Sequence, residues 1–193
     1  MKTMLPILVM LILFAGCSSR PTDKPVVVIE TAEGDISVEL YPKQAPKSVA
    51  AFLSYIDKGY YKDISFYRVL NNDNQPSNAP KAELIQGGCW GSKNRPKVPG
   101  IPHESTQQTG LKHVTGTVSF ARLEPGTATT EFFICMDTQP GLDHGGPNNP
   151  DGQGYAAFGK VIQGMDVARK IFKQSESDQY FDPPVPIYRI KRD

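Results

Sequence analysis

Seventeen glycines and seventeen prolines punctuate the 193 residues, and they fall between short apolar runs rather than inside long ones. Both residue types interrupt helices, so this spacing favours a β-rich, loop-rich fold over a helix bundle. Hydrophobic residues make up 39% of the chain, enough for one substantial core. Lys and Arg number 21 against 20 Asp and Glu, a balance that gives no electrostatic case for nucleic acid as a partner.

Read along the chain, residues 26–31 form a β-branched apolar run, Glu33-Gly34-Asp35 a turn, and Ile36, Val38 and Leu40 alternate with polar residues. This pattern predicts a hairpin. In APKSVAAFLSYIDKG, Pro46 suits a first helical turn, Val49, Phe52, Leu53 and Ile56 share one face, and Gly59 stands where a helix stops. That stripe reads as core packing. Further strands are predicted over residues 64–70, 83–86, 116–121, 131–136, 155–161 and 186–191, and a second helix over 165–174. Residues 71–80, 91–108 and 141–154 read as loops. Eight short strands and two helices predict a mainly β fold, a closed eight-stranded antiparallel barrel capped by the two helices. There is no internal repeat, and no domain boundary after the N-terminal segment.

That segment reads as an address. Lys2 precedes a short apolar run over residues 5–14, which ends in Phe14-Ala15-Gly16-Cys17. The run is short for a membrane span. Small residues before a Cys resemble the bacterial lipoprotein signal, in which the Cys becomes the lipidated N-terminus; Phe14 stands where Leu is usual. An ordinary secretory signal with an incidental Cys is the alternative. The lipoprotein reading gives a signal peptide over residues 1–16, a lipid on Cys17, a polar tether over 17–24 and one domain over 25–193. The protein would then sit in the cell envelope, anchored to a membrane and facing the periplasm or exterior. Cys89 and Cys135 remain; they read as two half-buried thiols in strands, with a disulfide as the alternative.

Few residues form a chemical constellation. His103, His113 and His144 have no metal-ligand spacing, no Ser sits in a nucleophile elbow, and the glycine-rich stretch over 141–154 leads into a strand rather than a phosphate-binding helix. What stands out is Arg68 in FYRV and Gln86 in ELIQGGCW. An amide at a strand end with Gly87-Gly88 behind it is an odd choice for packing alone. Neighbouring strands can bring such groups to one face, beside apolar residues from FARLEPGTATTEFFIC. On pattern alone, a ligand site and a buried Arg with a structural partner both fit.

FYRV, LIQGG, GTVSFAR, EFFI, LD and AFGKVIQGMDV occur in the order seen in cyclophilins, the peptidyl-prolyl cis-trans isomerases, and the chain resembles that family from about Val26 to its C-terminus. The resemblance implies the barrel already inferred, no cofactor or metal, a monomer, and proline-containing segments of unfolded or exported proteins as partners. It places the catalytic Arg on Arg68 and a pocket Gln on Gln86, which would orient Arg68 and bond the substrate backbone. Leu84, Phe133 and Leu142 fall on the proline pocket, with Phe133 at its base. Ala121 and Arg122 lie where backbone pairs with bound peptide, and Tyr155 at a rim position often held by His. Three positions depart from the pattern. Glu83 stands where a pocket Phe is usual, Glu131 replaces a common Gln, and Gly141 stands where some members carry a Trp that strengthens cyclosporin binding. A carboxylate at Glu83 would weaken an apolar grip, which keeps a peptide-binding or chaperone module with little turnover as the alternative function.

Overall fold

The structure, a computed structural model, describes residues 24–93, 95–175 and 178–193. The signal, Cys17 and most of the tether expected from the sequence lie outside the described residues.

Eight antiparallel strands close a barrel: β1 (Val26–Thr31), β2 (Gly34–Leu40), β3 (Lys62–Leu70), β4 (Leu84–Gly88), β5 (Thr117–Phe120), β6 (Phe132–Cys135), β7 (Ala156–Gln163) and β8 (Tyr180–Arg192). Their order around the barrel is β1-β2-β7-β5-β6-β4-β3-β8. Period-2 alternation divides each strand's side chains between inside and outside. Ile29, Ile36, Val38, Ile85, Val118, Phe132, Ile134 and Phe158 pack together with Phe52 from a helix in the main core, all fully or almost fully buried. Phe52 lies at its centre, with the Tyr61, Phe120, Phe132 and Phe158 rings at centroid distances of 4.9–6.1 Å.

Helix α1 (Pro46–Asp57) carries Pro46 at its start, and its N-terminal residue Ala45 offers no side-chain cap. Glu104 supplies one from 56 residues away: its carboxylate accepts from the Ser48 N–H at 2.8 Å and the Ser48 hydroxyl at 2.8 Å, and from the Lys47 N–H. A carboxylate there satisfies orphan amides and suits the helix dipole. Gly59 ends the helical segment with φ 70°.

Three expectations need correction. The described residues hold three α-helices, not two. Besides α1 and α3 (Met165–Phe172) there is a one-turn helix α2 (Thr106–Thr109), inside what reads as a loop. Its signature is local: Gln108 Oε1 accepts from the Ser105 N–H at 3.1 Å, and Gly110 closes the turn with φ 73°. Next, β8 begins at Tyr180 rather than residue 186. Pro183, Pro184 and Pro186 hide it, because proline cannot donate to a ladder and so argues against a strand. Finally, Cys89 and Cys135 are free thiols, and both are fully buried rather than half-buried.

Candidate active site

One row of register partners builds the site. Arg68 on β3 pairs with Gln86 on β4, Gln86 with Phe133 on β6, and Phe133 with Ser119 on β5. Ile85, Phe132 and Ile134 point into the main core, so their neighbours Gln86, Phe133 and Leu84 stand on the outer face of the barrel. There a second apolar cluster forms from Ala82, Leu84, Phe133, Cys135 and Leu142, with Leu70, Ala121 and Tyr155 packed against it. It floors a cavity of about 580 Å³, whose wall includes Arg68, Gln86 and Arg122.

A β-bulge arms the polar side of this cavity. Phe66 and Val69 both belong to the main core although they are three residues apart, which strict alternation forbids. The register shift between Phe66 and Arg68 resolves this and leaves Tyr67 and Arg68 side by side on the outer face. Arg68 Nη1 donates to Gln86 Oε1 at 3.4 Å, and Nη2 to Gln179 Oε1 at 2.7 Å. Among the described residues, Arg68 Nε is a buried donor with no protein acceptor. Gln86 Nε2 donates to the Tyr67 hydroxyl at 2.6 Å, and that hydroxyl donates to Glu131 Oε2 at 2.9 Å. Burial and the neighbouring Glu131 charge push the Tyr67 phenol far up, so it keeps its proton.

The glycines behind Gln86 have distinct reasons. A Cβ on Gly87 would lie 2.9 Å from both the Phe66 ring and the Ser65 carbonyl oxygen. On Gly88, whose φ is 146°, it would lie 2.3 Å from Glu131 Oε2. Both residues leave room for neighbours that pass too close for a side chain.

Phe133 lies at the base of the apolar side. Its ring stacks on His113 at 5.9 Å and meets Tyr155 edge-on at 5.4 Å. His113 is fixed in turn: its Nδ1 is 2.8 Å from Asp143 Oδ1, and its Nε2 is 3.1 Å from Ser119 Oγ. Burial pushes the Asp143 carboxyl up, but the bonds from the His113 side chain and backbone and the Lys112 charge together hold it below the usual range. The same cavity is lined by Tyr67, Trp90 and Tyr180, whose rings form a stepped series with centroids 4.8 and 5.7 Å apart. This aromatic edge, half-exposed at Trp90 and Tyr180, was not anticipated from the sequence.

The structure thus brings Arg68, Gln86, Leu84, Ala121, Phe133, Leu142 and Tyr155 to one cavity. Arg122 also lines it, but its side chain is committed elsewhere: Nη1 and Nη2 grip Asp151 at 2.6 and 2.9 Å, and Nε donates to the Gly154 carbonyl at 2.8 Å. Its guanidinium also lies 5.4 Å from the Tyr155 ring centre. Arg122 therefore latches the 141–154 loop onto the barrel and leaves only its backbone for a ligand.

Two of the three departures read differently in three dimensions. Glu83 does not line the cavity; its carboxylate accepts from Asn72 Nδ2 at 3.1 Å, and Ala82 stands on the apolar face instead. The 71–80 loop is tied by its own amides: Gln75 Nε2 donates to the carbonyls of Asn71 and Ala82. At Gly141, an added Cβ would meet Asn148 Oδ1 at 1.9 Å. Asn148 Nδ2 donates onward to the carbonyls of Pro80 and Lys81, so it bridges the two long loops beside Gly141.

Comparison with known proteins agrees with this architecture. The sequence model of the family described as cyclophilin type peptidyl-prolyl cis-trans isomerase/CLD matches residues 26–192. The chain is 36% identical to peptidyl-prolyl cis-trans isomerase A of Dickeya dadantii over 75% of this chain and 70% of that protein. It is 33% identical to peptidyl-prolyl cis-trans isomerase of Acinetobacter baylyi over 90% of this chain and 86% of that protein. Against peptidyl-prolyl cis-trans isomerase B of Escherichia coli the identity is 33%, over 76% and 83% of the two chains. Among solved structures, a Cryptosporidium parvum cyclophilin type peptidyl-prolyl cis-trans isomerase superposes with a TM-score of 0.69 at 24% identity, covering 88% of this chain and 98% of that one. That last likeness speaks to the fold.

Proposed function

The chain belongs to the cyclophilin-type peptidyl-prolyl isomerase family, and from that premise we propose that its outer-face cavity catalyses rotation about X–Pro peptide bonds. The reaction breaks no bond. Its barrier of about 18–20 kcal/mol is the resonance lost when the amide twists, and X–Pro is the linkage with a well-populated cis form. In the twisted state the proline nitrogen becomes pyramidal and gains a lone pair. A donor waiting there bonds the transition state and not the planar ground state, which is the kind of binding that accelerates.

Arg68 is that donor. A guanidinium offers donors and no acceptor, and Gln86 and Gln179 fix its fork from two sides. The single observation that carries the reading is the place of that fork: a guanidinium fixed by two amides on the wall of a cavity floored by apolar side chains. Ala82, Leu84, Phe133 and Leu142 hold the proline ring. Their apolar surface also favours the twisted amide, which is less polar than the planar one. The Ala121 N–H already bonds the Glu131 carbonyl at 2.9 Å, so strand pairing with a peptide at Ala121 and Arg122 falls to other backbone atoms.

The N-terminal segment belongs to the same proposal. Residues 1–16 act as a lipoprotein signal, Cys17 carries the lipid, and residues 17–24 tether a monomeric domain, residues 25–193, to a membrane of the cell envelope. There it meets proline-containing segments of exported proteins as they fold. What supports this is the Lys2 charge, the short apolar run and the Phe14-Ala15-Gly16-Cys17 junction.

Exchange spectroscopy on a short X–Pro peptide tests the catalytic reading. Residues 24–193 at micromolar concentration should broaden the cis and trans signals through faster interconversion; an unchanged rate overturns it. For the anchor, Cys17→Ser should release the full chain from the detergent phase. Membrane association that survives this change contradicts lipidation.

A further inference from the structure

The catalytic pair sits at one end of a longer hydrogen-bonded line, and the other end is Glu131. Its carboxylate, almost fully buried, accepts from the Tyr67 hydroxyl at 2.9 Å and the Thr130 hydroxyl at 3.0 Å, with a further bond from the Trp90 backbone. Gly88 leaves the space it occupies. The line runs Arg68 to Gln86 to Tyr67 to Glu131, each donating to the next.

Its direction follows from proton counting. An ionised carboxylate has no proton to give, so Tyr67 must donate to it. A phenol has one proton, so toward Gln86 the Tyr67 oxygen can only accept. The Gln86 atom facing Tyr67 must then be Nε2, and Oε1 is left to face Arg68. With the amide turned over, Nε2 would face a guanidinium that only donates, and Arg68 would lose an acceptor. We propose that Glu131 is a positioning residue for isomerisation: its acceptor-only carboxylate, acting through Tyr67, sets the orientation of the Gln86 amide and thereby holds Arg68 for the twisted proline nitrogen. This rests on the isomerase reading above and deepens it.

The device carries a proton switch. Burial raises the Glu131 carboxyl above its ordinary range, and the Tyr67 and Thr130 bonds and the Arg95 charge only partly oppose this. The titratable groups around it are Tyr61 and Tyr67 from the β3 segment, Cys89 beyond β4, and Arg95 in the following loop. Burial pushes both tyrosines and Cys89 up, so none of them loses a proton in the acid range. Protonated Glu131 can itself donate to Tyr67, and the line loses its direction. Activity is therefore present while Glu131 is ionised, and falls as the pH drops through its elevated value.

The test is a pH profile of kcat/KM for wild type, Glu131→Gln, Tyr67→Phe and the double variant, with the Gln86 side-chain amide followed by ¹⁵N NMR in the same samples. Wild type should show an acid limb above the ordinary carboxyl range. Glu131→Gln, whose amide can either donate or accept, should lose about fivefold at neutral pH, the worth of one misdirected hydrogen bond, and should flatten that limb. Tyr67→Phe should lose a similar factor, and the double variant little more, because both break one line. The Gln86 amide should titrate with the acid limb in wild type and not in Glu131→Gln. A Glu131→Gln protein with the wild-type profile overturns the proposal while leaving the isomerase reading intact. If wild type does not turn over, the isomerase reading fails, and a Gln86 amide that ignores pH removes the positioning line as well.

Discussion

Phe133 has the most concentrated role of any apolar residue at the site. It belongs to the row that carries Arg68 and Gln86, and it is wedged between His113 and Tyr155. Truncation to Ala removes the surface on which a proline ring rests. That contact is worth on the order of 1–2 kcal/mol, so kcat/KM for a proline peptide should fall roughly tenfold, mainly through KM. Because the ring also fills the outer cluster, the melting temperature should drop too; Phe133→Leu keeps most of the volume and should recover stability better than activity. Steady-state kinetics and thermal melts on both variants check this. Tyr155, edge-on to the same ring at 5.4 Å, adds a second aromatic contact to the one Phe133 makes with His113.

Among the elements, the 141–154 loop works as a hinged wall. One hinge is its Asn148 bridge to the Pro80 and Lys81 carbonyls, and the other is the Arg122–Asp151 fork. The Arg122 hydrogen bonds draw the Asp151 carboxyl down to about 2, below its ordinary value. A carboxyl lowered on folding adds stability above its unfolded value, and that stability is lost as pH falls through the lowered one. Amide protection in residues 145–153, corrected for intrinsic exchange, should therefore hold from pH 7 to about 4 and decline from about 4 to 2. Asp151→Asn should show the loosened loop already at pH 7. Full protection in that variant would mean that the Asn148 bridge alone holds the wall.

The same elements show what a sequence can and cannot disclose. The β1–β2 hairpin and the stripe on α1 follow local periods, so their patterns place them within a residue or two. The bulge at Tyr67 does not, because its evidence is the paired register of another strand. The prolines of β8 argue locally for a turn, and only the closed barrel shows that their missing donors are not needed. Arg68, Gln86 and Phe133 were legible through ordered family motifs. The line to Glu131 was not, since Tyr67 and Glu131 lie 64 residues apart and meet only because β4 stands between β3 and β6 in the barrel. Asn148 was hidden for a similar reason: its effect at Gly141 depends on how a seven-residue excursion folds back.

At the scale of the whole molecule, closure leaves no free strand edge among the described residues and places Cys89 and Cys135 inside packed surfaces. Cys89 is 1% exposed in the main core and Cys135 is 0% exposed in the outer cluster. Burial raises both thiols as well, which lowers their thiolate fraction. Neither should react with a disulfide reagent in the native domain of residues 24–193, and both should label together as denaturant unfolds it. Fast labelling of Cys135 alone would reveal a local opening of the outer cluster, which a continuous barrel wall does not permit. The barrel also keeps the catalytic row rigid, because Arg68, Gln86, Phe133 and Ser119 sit on four consecutive strands of one ladder.

Catalysis rests on Arg68 bonding the twisted amide more strongly than the planar one. The direct measurement is kcat/KM together with the equilibrium Kd for one proline peptide, in wild type and in Arg68→Ala; the quenching of Trp90, the chain's one Trp and part of the cavity wall, reports the binding. The predicted result is a loss of at least tenfold in kcat/KM, about 1.4 kcal/mol of transition-state stabilisation, with Kd changed by much less and the melting curve preserved. Full activity in Arg68→Ala, or a loss of activity matched by an equal loss of binding, would contradict it.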